Sequence, residues 1–190
     1  MNKIWKINKK APKEFFNKFP EYSKLTLQLL WDRGLRNQKS IDEFFNPDYD
    51  QDLHDPFLLK DIKLAIKRID QAARKKEKVV IFADYDADGI CGGFILKEML
   101  NSVDIDPEVY IPDRNKEGYG LSLKAIKEIA EKGVKLILTI DCGITDFEEV
   151  KLANKLGIDV IIIDHHEIPK KLPPAVAIID PKQKKDKYPF

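Results

Sequence analysis

The stretch that decides the fold is Val79-Val80-Ile81-Phe82-Ala83-Asp84-Tyr85-Asp86-Ala87-Asp88-Gly89. Its first five residues form an apolar run rich in β-branched side chains, which is typical of a buried strand. The run ends in three aspartates at alternate positions, and Gly89, Gly92 and Gly93 then open a predicted helix. A strand, an acidic turn and a helix in this order predict a site at the carboxyl end of a parallel strand.

The aspartates of this turn, Asp84, Asp86 and Asp88, indicate a cation site. Carboxylates this close together repel one another, so ionising all of them without a cation is costly. Their oxygens are hard ligands of the kind that Mg²⁺, Mn²⁺ and Ca²⁺ prefer. Taken alone, the same residues are also compatible with an acidic loop in solvent.

Further apolar runs predict strands at residues 108–111, 134–140, 158–163 and 175–179. Amphipathic helical stripes precede the first strand and separate the first four. Strands that alternate with helices form a mostly parallel sheet with helices on both faces. The sequence therefore predicts an α/β fold, a doubly wound parallel sheet of about five strands.

Residues 1–55 differ from the rest of the chain and predict a helical N-terminal arm, which leaves residues 56–190 as the main domain. In the arm, Ser40 is the predicted cap of a helix. In the main domain, Ser122 and Thr145 are the predicted caps of two further helices.

Three predicted strands end in an aspartate, at Asp84, Asp141 and Asp164. The carboxyl ends of parallel strands lie along one edge of a sheet, so these side chains are expected to meet there with His165 and His166. Buried charges without partners are costly, which favours metal coordination over a packed polar network. Carboxylate and imidazole ligands without thiolate favour Mn²⁺ or a similar ion. Two ions bridged by a carboxylate would serve phosphoester hydrolysis.

The segment 112–120 follows the second predicted strand and contains a guanidinium, two glycines and an aromatic ring. The mixture of Arg114, Gly118, Tyr119 and Gly120 is suited to holding a phosphate or stacking a base. Glycine is also an ordinary turn residue, so a plain loop is the alternative.

The charge balance and the apolar pattern narrow the range of partners. The 33 basic and 32 acidic side chains nearly cancel, so any surface for a polyanion must be a local patch. The first residues open no signal peptide, and no apolar run has the length of a membrane span. We therefore expect a cytoplasmic protein with no membrane partner.

Four motifs together resemble the DHH phosphoesterase superfamily. They are Asp84-Tyr85-Asp86-Ala87-Asp88-Gly89, Pro112-Asp113-Arg114 with Glu117-Gly118-Tyr119-Gly120, Asp141-Cys142-Gly143-Ile144, and Asp164-His165-His166-Glu167. The resemblance is closest to the RecJ branch of single-strand-specific exonucleases. It extends over nearly the whole chain through Trp31-Asp32-Arg33-Gly34 and Tyr188-Pro189-Phe190.

This resemblance implies Mn²⁺- or Mg²⁺-dependent, 5′-to-3′ degradation of single-stranded DNA to mononucleotides. The metal ligands that it implies are Asp84, Asp86, Asp88, His165 and Asp141, the last as a bridge between two ions. His166 and Asp164 are the implied catalytic pair. His166 would support the phosphate or the attacking water, and Asp164 would orient a histidine.

Members of the RecJ branch continue beyond these motifs with a further metal-binding aspartate, a DHHA1-type domain and often an OB-fold. We therefore expect this chain to be the N-terminal part of a longer protein, or a copy truncated at its C-terminal end, and a poor nuclease by itself. Two other functions stay open. One is a non-catalytic nucleic-acid or replication-factor binding module with the same fold. The other is a DHH oligoribonuclease, cyclic-dinucleotide phosphodiesterase or pyrophosphatase.

Overall fold

A computed structural model describes residue 4 and residues 6–189, so that Phe190 of the carboxyl-terminal motif lies outside the described residues. The chain divides into two units, Met1–Leu53 and His54–Phe190. The assignment of residues 1–55 and 56–190 as separate domains stays a prediction.

The first unit is helical. Its helices are α1 (Lys13–Lys18), α2 (Lys24–Asp32) and α3 (Gln38–Phe45). They pack around a small aromatic and aliphatic core of Ala11, Phe15, Phe19, Leu27, Leu30 and Ile41. The aromatic and leucine side chains of this segment therefore form a core within the unit itself.

The second unit alternates helices and strands. In chain order its elements are a short 3₁₀ helix (Pro56–Leu58), α4 (Ile62–Lys75), β1 (Val79–Ala83), α5 (Ala87–Asn101), β2 (Glu108–Tyr110), α6 (Leu123–Glu131), β3 (Leu136–Ile140), α7 (Phe147–Lys155), β4 (Asp159–Ile163) and β5 (Ala177–Ile179). Among the described residues, there is no helix with the length and apolar character that a bilayer crossing requires.

All five strands are parallel, in the order β2-β1-β3-β4-β5. Alternate residues of β1 face opposite sides of the sheet, as the pleat requires. Val79 and Ile81 pack in a core that includes residues of α4 and α5, while Val80 and Phe82 pack in a second core with residues of α6 and α7. Helices on both faces confirm the predicted doubly wound α/β fold.

Two predicted helix caps are wrong. The cap of α3 is Asn37, whose side chain accepts the N–H of Ser40 at 3.0 Å, and Ser40 is the third residue of the helix in a capping box. Asp146, not Thr145, directly precedes α7. Neighbouring polar residues suit the same cap position, and only the path of the backbone decides between them. The predicted cap Ser122 is confirmed, because its hydroxyl accepts the N–H of Ala125 at 3.1 Å.

Candidate metal centre

The strand order creates a cleft between the carboxyl ends of β1 and β3. The chain leaves β1 towards β2 on one side and later returns through α6 to β3 on the other side. Loops that diverge from such a reversal leave an open crevice at this edge of the sheet. Asp84 follows β1 and Asp141 follows β3, so both flank the crevice. A cavity of about 340 Å³ here is lined by Asp88, Ile140, Asp141, Ile163, Asp164 and His165.

The acidic turn after β1 forms the start of α5. Asp86 is the N-cap, and its Oδ1 accepts the N–H groups of Asp88 at 2.9 Å and Gly89 at 3.1 Å. These bonds, that from Gly89 above all, lower the pKa of Asp86. Asp84 is buried, whereas Asp88 lies exposed in the first turn of the helix. A side chain at Gly89 would meet the Asp84 carbonyl oxygen, since a Cβ there would lie 2.3 Å from it.

Asp141 forms an acidic cluster with Asp84 and Asp86. Its backbone is left-handed, with φ of 61°, and its carboxylate is 7% exposed. Its Oδ1 lies 2.9 Å from His165 Nε2, and one of its carboxylate oxygens lies within 4.8 Å of an oxygen of Asp86. Burial foremost, and then the charge of Asp86, raise the pKa of Asp141. Two carboxylates this close repel each other, which a proton or a cation between them would relieve.

Asp164, at the end of β4, organises the histidine pair. Its Oδ1 accepts the backbone N–H groups of His165 at 2.7 Å and His166 at 3.1 Å, and lies 2.7 Å from His166 Nδ1. Its Oδ2 accepts the N–H of Ile144 at 3.1 Å. The bond to Asp164 raises the pKa of His166. Both oxygens of this buried carboxylate are therefore committed to protein groups.

Tyr119 supports the strand ends from the 112–120 loop. Its hydroxyl donates to the backbone carbonyl of Asp141 at 2.9 Å and lies 3.2 Å from His166 Nδ1. The loop is held by Asp146, whose carboxylate accepts the N–H of Leu121 at 2.7 Å. A Cβ at Gly120, which has φ of 81°, would lie 2.6 Å from that carboxylate. Tyr119 thus meets protein groups, and its role in substrate binding stays a prediction.

The other predicted substrate residues of this loop are Arg114 and Gly118. The Arg114 guanidinium carbon lies 5.2 Å from the centre of the Tyr85 ring. Gly118 has φ of 82° and open space where a side chain would be. Tyr85 stands between Asp84 and Asp86 in the sequence, so this contact brings Arg114 to the side of the acidic turn. Among the described residues, Arg114 makes no ion pair with the carboxylates of the turn.

The potential metal ligands form two donor groups that share Asp141. One combines Asp84, Asp86 and Asp141, the other Asp141, His165 and His166, with the ligand atoms of each group within 4.8 Å of one another. Asp88 belongs to neither group, although it lines the cavity. In the described part of the chain, the buried Asp84 Oδ1 has no hydrogen-bond partner. An unpartnered buried oxygen beside other carboxylates fits a divalent cation, and oxygen with imidazole donors suits Mn²⁺ or Mg²⁺.

The predicted cluster does not include Asp180, although this residue also ends a strand of the sheet. It follows β5, its side chain is fully buried, and its Oδ1 accepts the N–H of Lys182 at 2.8 Å. Its Oδ2 has no partner among the residues that the structure describes. Burial, with a contribution from the charge of Asp164, raises the pKa of Asp180. Its position directly after a predicted strand is the sequence signal that could have placed Asp180 at this edge of the sheet.

We expect Asp180→Asn to stabilise the protein at neutral pH by about 1 kcal/mol, because it removes a buried charge without a full set of partners. The pKa of Asp180 is higher in the folded than in the unfolded state, so its ionisation destabilises the native state once the pH rises above the unfolded-state pKa. The stability gained by Asp180→Asn should therefore shrink as the pH falls towards ~4, the ordinary pKa of an aspartate. Urea unfolding of both proteins across this pH range measures it. A stability difference that does not change with pH would contradict this account.

A comparison with family models found a match to most of the second unit. A family model described as the DHH family, N-terminal domain, matches residues 78–187. This range contains all of the strands and every residue of the two donor groups.

The chain is similar to exonucleases that are much longer. The single-stranded-DNA-specific exonuclease RecJ of Bacillus subtilis (strain 168) is 43% identical over 166 residues, which are 87% of this chain and 21% of that protein. The protein of the same name from Haemophilus influenzae is 33% identical over 150 residues, 78% of this chain and 25% of that protein. The chain thus spans about a fifth to a quarter of the length of these relatives.

The chain is also similar to part of longer proteins whose structures have been solved. A crystal structure of exonuclease RecJ bound to manganese is 34% identical, with a TM-score of 0.65 over 70% of this chain and 34% of the other. RecJ from Thermus thermophilus in complex with Mn²⁺ is 27% identical, with a TM-score of 0.61 over 90% of this chain and 24% of the other.

Proposed function

The chain belongs to the DHH family, and from this premise we propose that it is the metal-binding part of a RecJ-type exonuclease that hydrolyses single-stranded DNA with Mn²⁺ or Mg²⁺. The observation that carries the proposal is the pair of donor groups that share Asp141. A shared carboxylate suits two adjacent divalent ions, because one negative side chain can contact both. The names of the relatives, which are single-stranded-DNA-specific exonucleases, support the choice of substrate.

Each of the two donor groups would hold one ion. Asp84 and Asp86 would hold one ion with Asp141, and His165 would join Asp141 at the other. When bound, such ions supply Lewis acidity, which lowers the pKa of the attacking water and neutralises the charge that builds up on the phosphoryl oxygens. The exposed Asp88 would act from the rim of the cavity, through water or as an outer ligand.

His166 is suited to the substrate rather than to holding an ion. Its Nδ1 donates to Asp164, which leaves Nε2 as the ring atom available to a ligand. The raised pKa favours the protonated ring, which donates a hydrogen bond to a phosphoryl oxygen. Asp164 acts through this bond, because it fixes the ring orientation and both of its oxygens already accept hydrogen bonds from protein groups.

The test is incubation of the purified chain with 5′-phosphorylated single-stranded DNA and Mn²⁺, with EDTA as control. We expect slow, metal-dependent release of mononucleotides, and calorimetric binding of Mn²⁺ by the protein alone. Strand binding without any hydrolysis would favour the non-catalytic binding module. Hydrolysis of short RNA or cyclic dinucleotides in preference to DNA would favour the other DHH activities.

Arg114 is proposed to bind a substrate phosphate, because its guanidinium lies over Tyr85 beside the acidic turn and carries donors that suit phosphate. We expect Arg114→Ala to raise KM about tenfold, the loss of one charged hydrogen bond, and to leave Mn²⁺ affinity unchanged. Steady-state kinetics and calorimetry measure the two quantities. Lys116→Ala, which removes an exposed cation of the same loop, is the matched control. An unchanged KM would make Arg114 an ordinary surface residue.

A further inference from the structure

We propose that a lysine-lined cavity beside the metal centre binds a backbone phosphate of the nucleic-acid strand, an inference that rests on the function proposed above. The cavity has a volume of about 390 Å³. Its charged lining consists of Lys60, Lys170, Lys182 and Lys184, with no acidic side chain among the lining residues that the structure describes. The near-neutral chain thus concentrates positive charge at one place, which is the local patch that a polyanion requires.

The cavity belongs to the same edge of the sheet as the donor groups. Ile168, in its wall, is two residues beyond His166, and Lys182 is two residues beyond Asp180 at the end of β5. Lys182 Nζ donates to Glu167 Oε1 at 3.0 Å, and Glu167 directly follows His166 in the chain. A strand with one phosphate at the metal centre would therefore find these lysines next to it.

The lysine at the inner side of the cavity is held in place. Lys60 Nζ donates to Gln183 Oε1 at 3.0 Å, and the buried Gln183 in turn donates through Nε2 to the Ile178 carbonyl at 2.5 Å. The Lys60 backbone N–H also donates to Asp186 Oδ2 at 2.8 Å. An ammonium group has three donors, so Lys60 keeps two for a ligand.

The remaining lysines are available for an anion. Lys170 and Lys184 are exposed and have no acidic partner within the described ranges. Lysine binds phosphate as a point charge without demanding one geometry, which suits a phosphodiester that moves through a site. The metal centre is acidic and repels a strand until cations bind, so a neighbouring cationic cavity would supply attraction that the centre lacks.

The test compares Lys170→Gln/Lys184→Gln with Lys151→Gln/Lys155→Gln. Both double variants remove two exposed lysines, but the control pair lies on α7, whose last turn is at the opposite edge of the sheet. Binding of fluorescein-labelled oligothymidylate is measured by anisotropy in EDTA over a range of salt concentrations. We expect the cavity variant to bind about tenfold more weakly, and the salt slope to fall by about 0.7 for each phosphate that is no longer neutralised.

Equal affinity of the two double variants would overturn the proposal. Displacement of the strand by inorganic phosphate at low millimolar concentration would also overturn it, since the cavity would then be a site for free anions. Mn²⁺-dependent hydrolysis of bis(p-nitrophenyl) phosphate, which is too small to reach the lysines, tests the proposed function separately. Its absence together with lysine-dependent strand binding would contradict the proposed function and leave this inference standing.

Discussion

Asp141→Asn is expected to abolish cation binding at both donor groups and to leave the protein folded. Asp141 is the member that the two groups share, so its charge is lost from both at once. Asparagine keeps the size of the side chain and tolerates the left-handed backbone at this position, where φ is 61°. Calorimetric titration with Mn²⁺ should show no binding at millimolar concentration, and metal-dependent hydrolysis should fall by about 10³-fold or more.

The same substitution is expected to stabilise the metal-free protein. It removes a buried carboxylate that the charge of Asp86 repels. A gain of about 1 kcal/mol would raise the melting temperature by a few degrees. Mn²⁺ should raise the melting temperature of the unmodified protein, because a ligand that binds the native state stabilises that state. It should not raise the melting temperature of the variant, which is expected not to bind Mn²⁺.

Two further variants serve as controls for this prediction. Asp113→Asn removes an exposed carboxylate outside both donor groups and should leave Mn²⁺ binding intact. His166→Asn removes a member of only one group and should weaken Mn²⁺ binding less than Asp141→Asn does. Equal losses from Asp141→Asn and His166→Asn would refute the bridging role of Asp141.

Gly89→Ala is expected to disrupt the acidic turn more severely than any surface substitution. The added Cβ would lie 2.3 Å from the Asp84 carbonyl oxygen and 2.7 Å from its nitrogen, and these are backbone atoms that cannot turn aside. Either the start of α5 or the end of β1 must move. We expect a loss of about 4 kcal/mol in the free energy of unfolding, together with the loss of Mn²⁺ binding, because both Asp84 and the cap Asp86 are displaced.

The control for this prediction is Gly133→Ala. Gly133 has φ of 77° and open space where its Cβ would be, so the substitution adds backbone strain without a clash. It should cost about 1 kcal/mol and leave Mn²⁺ binding unchanged. Urea unfolding and calorimetry measure both effects. A Gly89→Ala variant with the same small cost would show that the turn is not constrained by contact with Asp84.

Local patterns in the sequence predicted the strands of the sheet and most residues of the candidate site. The apolar run of β1 and the three aspartates after it are adjacent in the chain, so the strand, the turn and the helix could be predicted together. The same reasoning at β3 and β4 supplied Asp141, Asp164 and the two histidines, because a parallel strand always ends at the same edge.

Non-local packing decided what the sequence could not. Which carboxylates share a donor group depends on the order β2-β1-β3, which brings Asp141 next to the turn after β1. The acidic spacing of the turn and the family resemblance predict Asp88 as a ligand, yet the helix begins at Ala87 and Asp88 lines the cavity without joining either donor group. Its part in metal binding therefore stays a prediction.

The sequence by itself determined the strands, their acidic ends and the family, because these depend on side-chain periodicity and on motifs that are contiguous in the chain. Only the tertiary structure decided that Asp180 is buried with an oxygen that has no partner among the described residues, and that Tyr119 donates to the carbonyl of Asp141. It also decided that lysines from separate loops line one cavity. The physical reason is that burial, desolvation and convergent charge are set by segments distant in the chain, which no local pattern specifies.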